Sequence, residues 1–167
     1  NIIDASLTHL PLSRLNLGDF LLMIQQQALD QNGIRVNTVD HTDSKRLLAD
    51  RYSFAMAFNF LFVNLSDVTK QREFDLAVRN SNGSILFDIS WPGPPASRIQ
   101  VEDIITRKIR ALPSFGYILK QNQADFQIVS GNMQSTSSVR ITANAEMESA
   151  LANNKRRAVV AQSRPEF

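Results

Sequence analysis

The residues able to do chemistry are few. The chain carries two histidines, His9 and His41, and no cysteine. Without a thiol there is no disulfide framework, no thiolate zinc site and no cysteine nucleophile. His41 lies in Asp40-His41-Thr42-Asp43, where an imidazole between carboxylates is the beginning of a metal site. The sequence offers no third ligand, so we read His41 as a loop residue. His9, in Thr8-His9-Leu10-Pro11-Leu12, is read as an exposed or interfacial side chain. Asn64 stands near the end of an apolar stretch, where its amide can cap or bond a neighbouring loop. Trp91-Pro92-Gly93-Pro94-Pro95 is a loop, because prolines at this density fit neither a helix nor an interior strand. No glycine lies between Gly93 and Gly116, so no backbone cradle for phosphate is legible there.

These groups need a scaffold, and the composition supplies one. At 167 residues the chain suits one domain, or one domain with a tail. Its 43% hydrophobic and 20% charged residues are close to the globular average, which excludes disorder throughout. A formal net charge of +2 gives no ground for expecting nucleic acid as a partner. No apolar run reaches the roughly 18 residues of a membrane span, and no signal peptide is present. The pattern is that of a soluble domain on the reducing side of a membrane.

Apolar periodicity sets the elements. Residues 19–31 read as a helix stopped by Asn32-Gly33, and 34–39 as a half-buried strand. A short strand over 45–49 leads to Asp50, which is placed to cap a helix over 51–66. That helix is apolar on nearly all sides (Phe54, Phe58, Leu61, Phe62, Leu65) and belongs in the middle of a layer. Strands over 73–79 and 85–91 flank Asn82-Gly83, a pair that supplies the positive φ angles of a hairpin turn. Helices over 101–112 and 114–122 follow, then strands over 125–130 and 137–143. The expected fold class is α+β, a two-layer sandwich with helices on one face of a mixed sheet. Residues 1–15 read as the end of a linking or dimerisation helix, 16–145 as the domain, and 146–167 as a linker or helix to a further domain. Lys155-Arg156-Arg157 within it reads as a solvated helix face. The expectation is a piece of a larger, multidomain protein.

This order resembles the ATP-binding catalytic domain of sensor histidine kinases, in the superfamily shared with gyrase and Hsp90. The resemblance runs over 15–143. Leu15-Asn16-Leu17-Gly18-Asp19-Phe20 is similar to the approach into that domain from the dimerisation helices, and Asn32-Gly33-Ile34-Arg35-Val36 to its first helix-to-strand turn. Asp50, Asn64 and Thr69 match the Asp, the second Asn and the closing Thr around the family's N-box. Phe126-Gln127-Ile128-Val129-Ser130 and Ser137-Ser138-Val139-Arg140-Ile141 resemble its last two strands.

The departures fall on the chemistry. Phe60 occupies the first N-box Asn position. Asn59 is its neighbour, but one residue on a helix rotates a side chain by about 100°. Where the family has Asp-x-Gly-x-Gly, Trp91 replaces the adenine-binding Asp, Gly93 remains, and Pro95 replaces the second Gly. An indole N–H is a donor only and cannot accept the adenine amino group. Its size suits it to fill the base pocket. Ile109 and Ala111 stand where the second glycine box belongs, and the ATP lid is reduced to about 95–99.

The resemblance therefore implies a non-catalytic, kinase-like domain of a bacterial signalling or membrane-tethered protein, with Asn64 and Gly93 left from a nucleotide site. On this reading it holds no cofactor and acts through protein contacts. Partners would be other domains of the chain, a receiver or kinase domain, and a second copy through the N-terminal helix. It would be cytoplasmic, tethered to the inner membrane by segments before residue 1. Two alternatives stay open. One is an active, ATP-dependent protein histidine kinase domain with divergent motifs, in which Asn64 holds magnesium. The other is a docking domain of a phosphorelay phosphotransferase. His9 follows the family His-box faintly, but lies only ten residues before Asp19, too close for a second dimerisation helix. The closing Arg164-Pro165-Glu166-Phe167 resembles linkers of bacterial exonuclease domains of the proofreading type.

Overall fold

A computed structural model gives the structure of the chain and describes residues 12–42, 46–109 and 113–145. Helix α1, Leu17–Asn32, starts two residues earlier than the apolar run suggested. Its cap is Asn16, whose side-chain oxygen accepts the Asp19 N–H at 2.9 Å; Asp19 itself sits inside the first turn, where its charge favours the helix dipole. Gly33 ends the helix at φ 64°, in the left-handed region. Leu17, Phe20, Leu21, Ile24 and Ala28 form its buried stripe.

Helix α2, Arg51–Thr69, is capped by Asp50, whose carboxylate accepts the Ser53 N–H at 2.9 Å. It runs past the expected end at Ser66 and stops on Lys70 at φ 63°. Phe54, Phe58 and Phe62 are fully buried along it. The Phe58 ring meets Phe20, Phe54 and Phe87 at centroid distances of 5.8, 5.1 and 5.0 Å, mostly edge-on. Each such side chain contributes about 2–3 kcal/mol of burial, which makes α2 the centre of the helical layer.

The layer lies on a seven-stranded sheet. Its strands are β1 Ser13–Asn16, β2 Arg35–Asp40, β3 Arg46–Ala49, β4 Glu73–Ser81, β5 Ser84–Ser90, β7 Asp125–Ser130 and β9 Ser138–Ala145. The order is β1-β3-β9-β5-β4-β2, with β7 pairing the other stretch of β9. Only β2 and β4 run parallel; every other pair in this sheet is antiparallel. Phe74, Leu76, Val78, Ile85, Phe87, Ile89, Val139, Ile141 and Ala143 alternate onto the buried face. The other face carries Arg140, whose Nε and Nη2 donate to the two oxygens of Asp88 at 2.6 and 3.2 Å. The two-layer α+β sandwich is as expected, and so is the hairpin: Asn82 and Gly83 take φ 49° and 81° between the paired Ser81 and Ser84.

Three expectations are corrected. Ser13–Asn16 is a strand against β3, with Leu15 facing inward, so the helix proposed for 1–15 does not include its last residues. Residues 1–11 lie outside the described part, as do the segment 146–167 and the basic run within it. The helix expected over 101–112 is α3, Arg98–Asp103, followed by a 3₁₀ turn, Ile104–Thr106. Arg107 then turns extended (φ −70°, ψ 138°) and Lys108 bridges to Ser114. Finally, the shortened lid is not a bare loop. Ala96–Ser97 forms β6, which pairs β8, Ser135–Thr136, in a small second sheet. Helix α4, Phe115–Gln121, is capped by Ser114, close to the expected bounds.

Candidate functional site

Of the two residues expected to form a site, Asn64 lies on α2 against the turn after α3, and Gly93 lies in the loop after β5 beside Gln71. Asn64 is buried, at 8% exposure, on α2. Its amide nitrogen donates to the Phe60 carbonyl at 2.8 Å, one turn back on the same helix. Its oxygen accepts from the Arg107 guanidinium at 2.6 Å. Both ends of the side chain are thus engaged, and the partner of the oxygen is a cation belonging to the protein itself. Arg107 is aimed by its surroundings: Asp103 holds its Nε at 3.4 Å, and its carbonyl accepts the Phe115 N–H at 2.9 Å. The extended backbone at Arg107 that cut the helix short is what carries the guanidinium back to α2.

Phe60 stacks on Phe115 with centroids 5.8 Å apart and planes at 28°. Phe115 in turn meets Phe126 edge-on at 5.6 Å. An aromatic row therefore fills the seam between α2, the start of α4 and β7. Asn59 points elsewhere, as its place on the helix required. It accepts from Asn32 at 2.8 Å and donates to Gln31 at 3.4 Å, both at the end of α1.

Trp91 follows β5 directly and is 4% exposed. Its ring meets Phe74 edge-on at 6.1 Å, and its Nε1–H donates to the Pro94 carbonyl at 3.3 Å, closing the proline loop on itself. Gly93 has φ 97°, and a Cβ there would stand 3.0 Å from the Gln71 side chain. Gln71 is anchored at its backbone: its N–H bonds the Thr69 hydroxyl at 3.0 Å and its carbonyl accepts from Ser66 at 2.6 Å. Thr69 thus terminates α2 and seats the segment beside Gly93. Among the described residues no hydrogen bond joins Asn64 to the Trp91–Pro95 loop. The structure gives them separate partners.

At the other end of α2, Asn122 is fully buried. Its oxygen accepts the Asp50 N–H at 2.7 Å, and its nitrogen donates to Ser53 Oγ and the Ile118 carbonyl, both at 3.0 Å. This clamps the end of α4 to the start of α2, and no spacing in the sequence announces it. Arg107 was equally hidden, because it falls inside a run whose periodicity reads as helix. His41 donates its backbone N–H to the Val78 carbonyl at 2.7 Å, and among the described residues no cluster of His, Asp and Glu could hold a metal ion. Ile109 is buried, while Ala111 lies outside the described residues, as does His9. Among the described residues no helix is long and apolar enough to cross a membrane.

No protein-family model matches the chain, and no curated protein does. Solved structures do. The catalytic domain of histidine kinase ThkA superposes with a TM-score of 0.58 at 14% identity, over 81% of this chain and 97% of that one. The osmosensor EnvZ of E. coli, in its histidine kinase domain, gives 0.60 at 13% identity, over 82% and 91%. The chain has the histidine-kinase catalytic-domain fold. Histidine kinase AdeS of Acinetobacter baumannii extends the likeness to 87% of the chain, at a TM-score of 0.57 and 14% identity. Within this fold α2 packs against α4 in the helical layer. The Phe60–Phe115 stack and the Arg107–Asn64 bond both span those two elements or the turn between them.

Proposed function

We propose that this kinase-type domain has given up nucleotide binding and serves as a regulatory or protein-interaction module of a larger bacterial signalling protein. One observation carries the reading: the Arg107 guanidinium occupies the oxygen of Asn64 that a magnesium-bound nucleotide would need. A buried amide oxygen bonded to a charged donor is stabilised by about 1.5–3 kcal/mol. A metal ion would have to displace that donor and find its other ligands in an apolar seam. Phe60 at the first Asn position and Trp91 at the Asp position support the same reading, since each puts a ring where the family motif has a polar group.

The domain would start with β1 at Ser13 and run to 145, with the segments on either side leading to other parts of a cytoplasmic protein. The relative ThkA is known in complex with the response regulator TrrA, which makes a receiver domain the first partner to try. Another relative, ShkA, is known in complex with AMPPNP at 12% identity and a TM-score of 0.59. That keeps the opposite outcome concrete.

The test is calorimetric titration with ATP and a nonhydrolysable analogue, with and without magnesium. Absence of heat and of thermal stabilisation at millimolar nucleotide is the expected result. Saturable binding that is lost in Asn64→Ala would overturn the proposal and favour an active kinase domain with divergent motifs.

A further inference from the structure

We propose that Asn82 is a site of spontaneous deamidation, and that its conversion loosens the end of β9. The reaction needs only solvent. The backbone nitrogen of Gly83 attacks Cγ of Asn82, a C–N bond forms, and Nδ2 leaves as ammonia. A water then opens the resulting cyclic imide at either carbonyl, giving aspartate or isoaspartate. No oxidation or reduction occurs, and the proton lost from the Gly83 amide makes the step faster in mild alkali.

The chain has two Asn-Gly pairs, and the fold treats them oppositely. At the hairpin tip Asn82 is exposed, and among the described residues its side-chain amide has no hydrogen-bond partner. The Gly83 N–H has no backbone acceptor there, and a Cβ built on Gly83 meets nothing within 4 Å. The attacking nitrogen, the amide and the space around them are all free. Asn32-Gly33 is locked at each of these points. The Asn32 amide donates to Asn59 at 2.8 Å, its carbonyl accepts from Arg72 at 2.7 Å, and the Gly33 N–H is spent on the Leu29 carbonyl at 2.9 Å. The Arg72 side chain also stands 3.0 Å from a Cβ built on Gly33. Closing the imide at Asn82 requires its backbone to rotate out of the left-handed conformation. An exposed tip of small polar residues is where a folded chain is most open to chemical attack.

The consequence lies across the sheet. The Gly83 carbonyl accepts the Ala145 N–H at 3.0 Å, holding the end of β9 on its β5 side, while its other side pairs with Leu47 and Leu48 of β3. Isoaspartate inserts a methylene into the main chain, and a two-residue turn with φ positive at both positions has no room for an extra backbone atom. The pairing of Ser81 with Ser84 and the bond to Ala145 would both weaken. The hairpin tip would then act as a slow, irreversible loosening of β9 on its β5 side, with the β3 pairing left in place.

The experiment ages the full chain in mildly alkaline buffer and follows each Asn-Gly peptide by mass spectrometry that separates aspartate from isoaspartate. Asn82 is expected to convert several-fold faster than Asn32 in the folded protein, whereas in denaturant the two should convert alike. Hydrogen exchange at Ala145 should rise in the isoaspartate fraction and stay at the native level in Asn82→Asp, which keeps the ordinary backbone. Conversion of Asn32 as fast as Asn82 under native conditions would overturn the proposal. So would unchanged exchange at Ala145 after Asn82 has converted.

Discussion

The Arg107 guanidinium lies 2.6 Å from the side-chain oxygen of Asn64, pinning the turn after α3 onto α2. Asn64 is nearly buried, whereas the Arg107 side chain keeps 38% of its surface in water. Arg107→Ala would leave the amide oxygen buried without its donor, at a cost of about 1–2 kcal/mol after allowing for solvent near the guanidinium. Urea unfolding measures this loss. The same variant should still fail to bind magnesium nucleotide, because the aromatic seam beside Asn64 stays intact.

Phe60 is the second test of that seam. Truncation by Phe60→Ala removes its stack on Phe115 and leaves a gap between α2 and α4. A partly buried ring of this kind costs about 2–3 kcal/mol. Phe60→Asn, which restores the residue type of the family motif, should cost as much and restore no nucleotide binding. Thermal unfolding with and without ATP checks both statements.

Asn122 bonds three groups on two helices from a fully buried position. In Asn122→Ala the Asp50 N–H and the Ser53 hydroxyl lose their partner, and we expect a loss of about 2–4 kcal/mol. The damage should concentrate where α4 meets α2, so hydrogen exchange at the start of α2 should rise before that of β4 or β5.

Gly131 takes φ 118°, and a Cβ there would fall 2.1 Å from the Ser135 carbonyl oxygen. Gly131→Ala therefore forces backbone to move as well as straining φ, at about 3 kcal/mol or more. Gly93→Ala meets only the flexible end of Gln71 and should cost less, about 1–2 kcal/mol. Comparing the two denaturation midpoints separates a backbone clash from φ strain.

On the outer face of the sheet, Arg140 grips Asp88 with two nitrogens, and Arg79 approaches the same carboxylate at 3.7 Å. The hydrogen bonds to Asp88, with the attraction of its charge, raise the Arg140 pKa above arginine's ordinary value, against a smaller lowering by burial. A raised folded value adds stability that is complete below the unfolded pKa and is lost only as pH climbs through the folded one. For an arginine that window is strongly alkaline, so this group should give no slope in stability between about pH 6 and 9. Arg140→Lys should recover less than half of the loss in Arg140→Ala, since a point donor cannot make both bonds. A pH series of urea midpoints on the three proteins measures both effects.

Much of the fold was legible because its signals are local. Asn82-Gly83 fixes a turn through φ preferences that need no partner. The strands β4 and β5 alternate with period two, and Asp50 caps α2 through a bond to a residue three positions away. The extension of α2 to Thr69 was missed because its end is decided by the Thr69 hydroxyl, which bonds the Leu65 carbonyl and the Gln71 N–H. Strand β1 was read as helix because Leu15 suits either period, and only pairing with β3 separates them. The pair β6 and β8 is too short to carry any pattern.

The candidate site divides in the same way. That Phe60 and Trp91 stand where the resembled family has polar residues, and Pro95 where it has a glycine, is read from the sequence, and so is the lack of glycine between Gly93 and Gly116. So is the wrong bearing of Asn59, since a helix sets side-chain direction by count. What packs against Asn64 and Phe60 was decided by tertiary structure. Arg107 reaches Asn64, Phe115 covers Phe60 and Asn122 joins α4 to α2 across separations of 43, 55 and 72 residues. Periodicity registers which way a residue faces within its own element. It holds no record of which distant side chain will satisfy a buried amide, because that choice is made by packing and desolvation once the layers have closed.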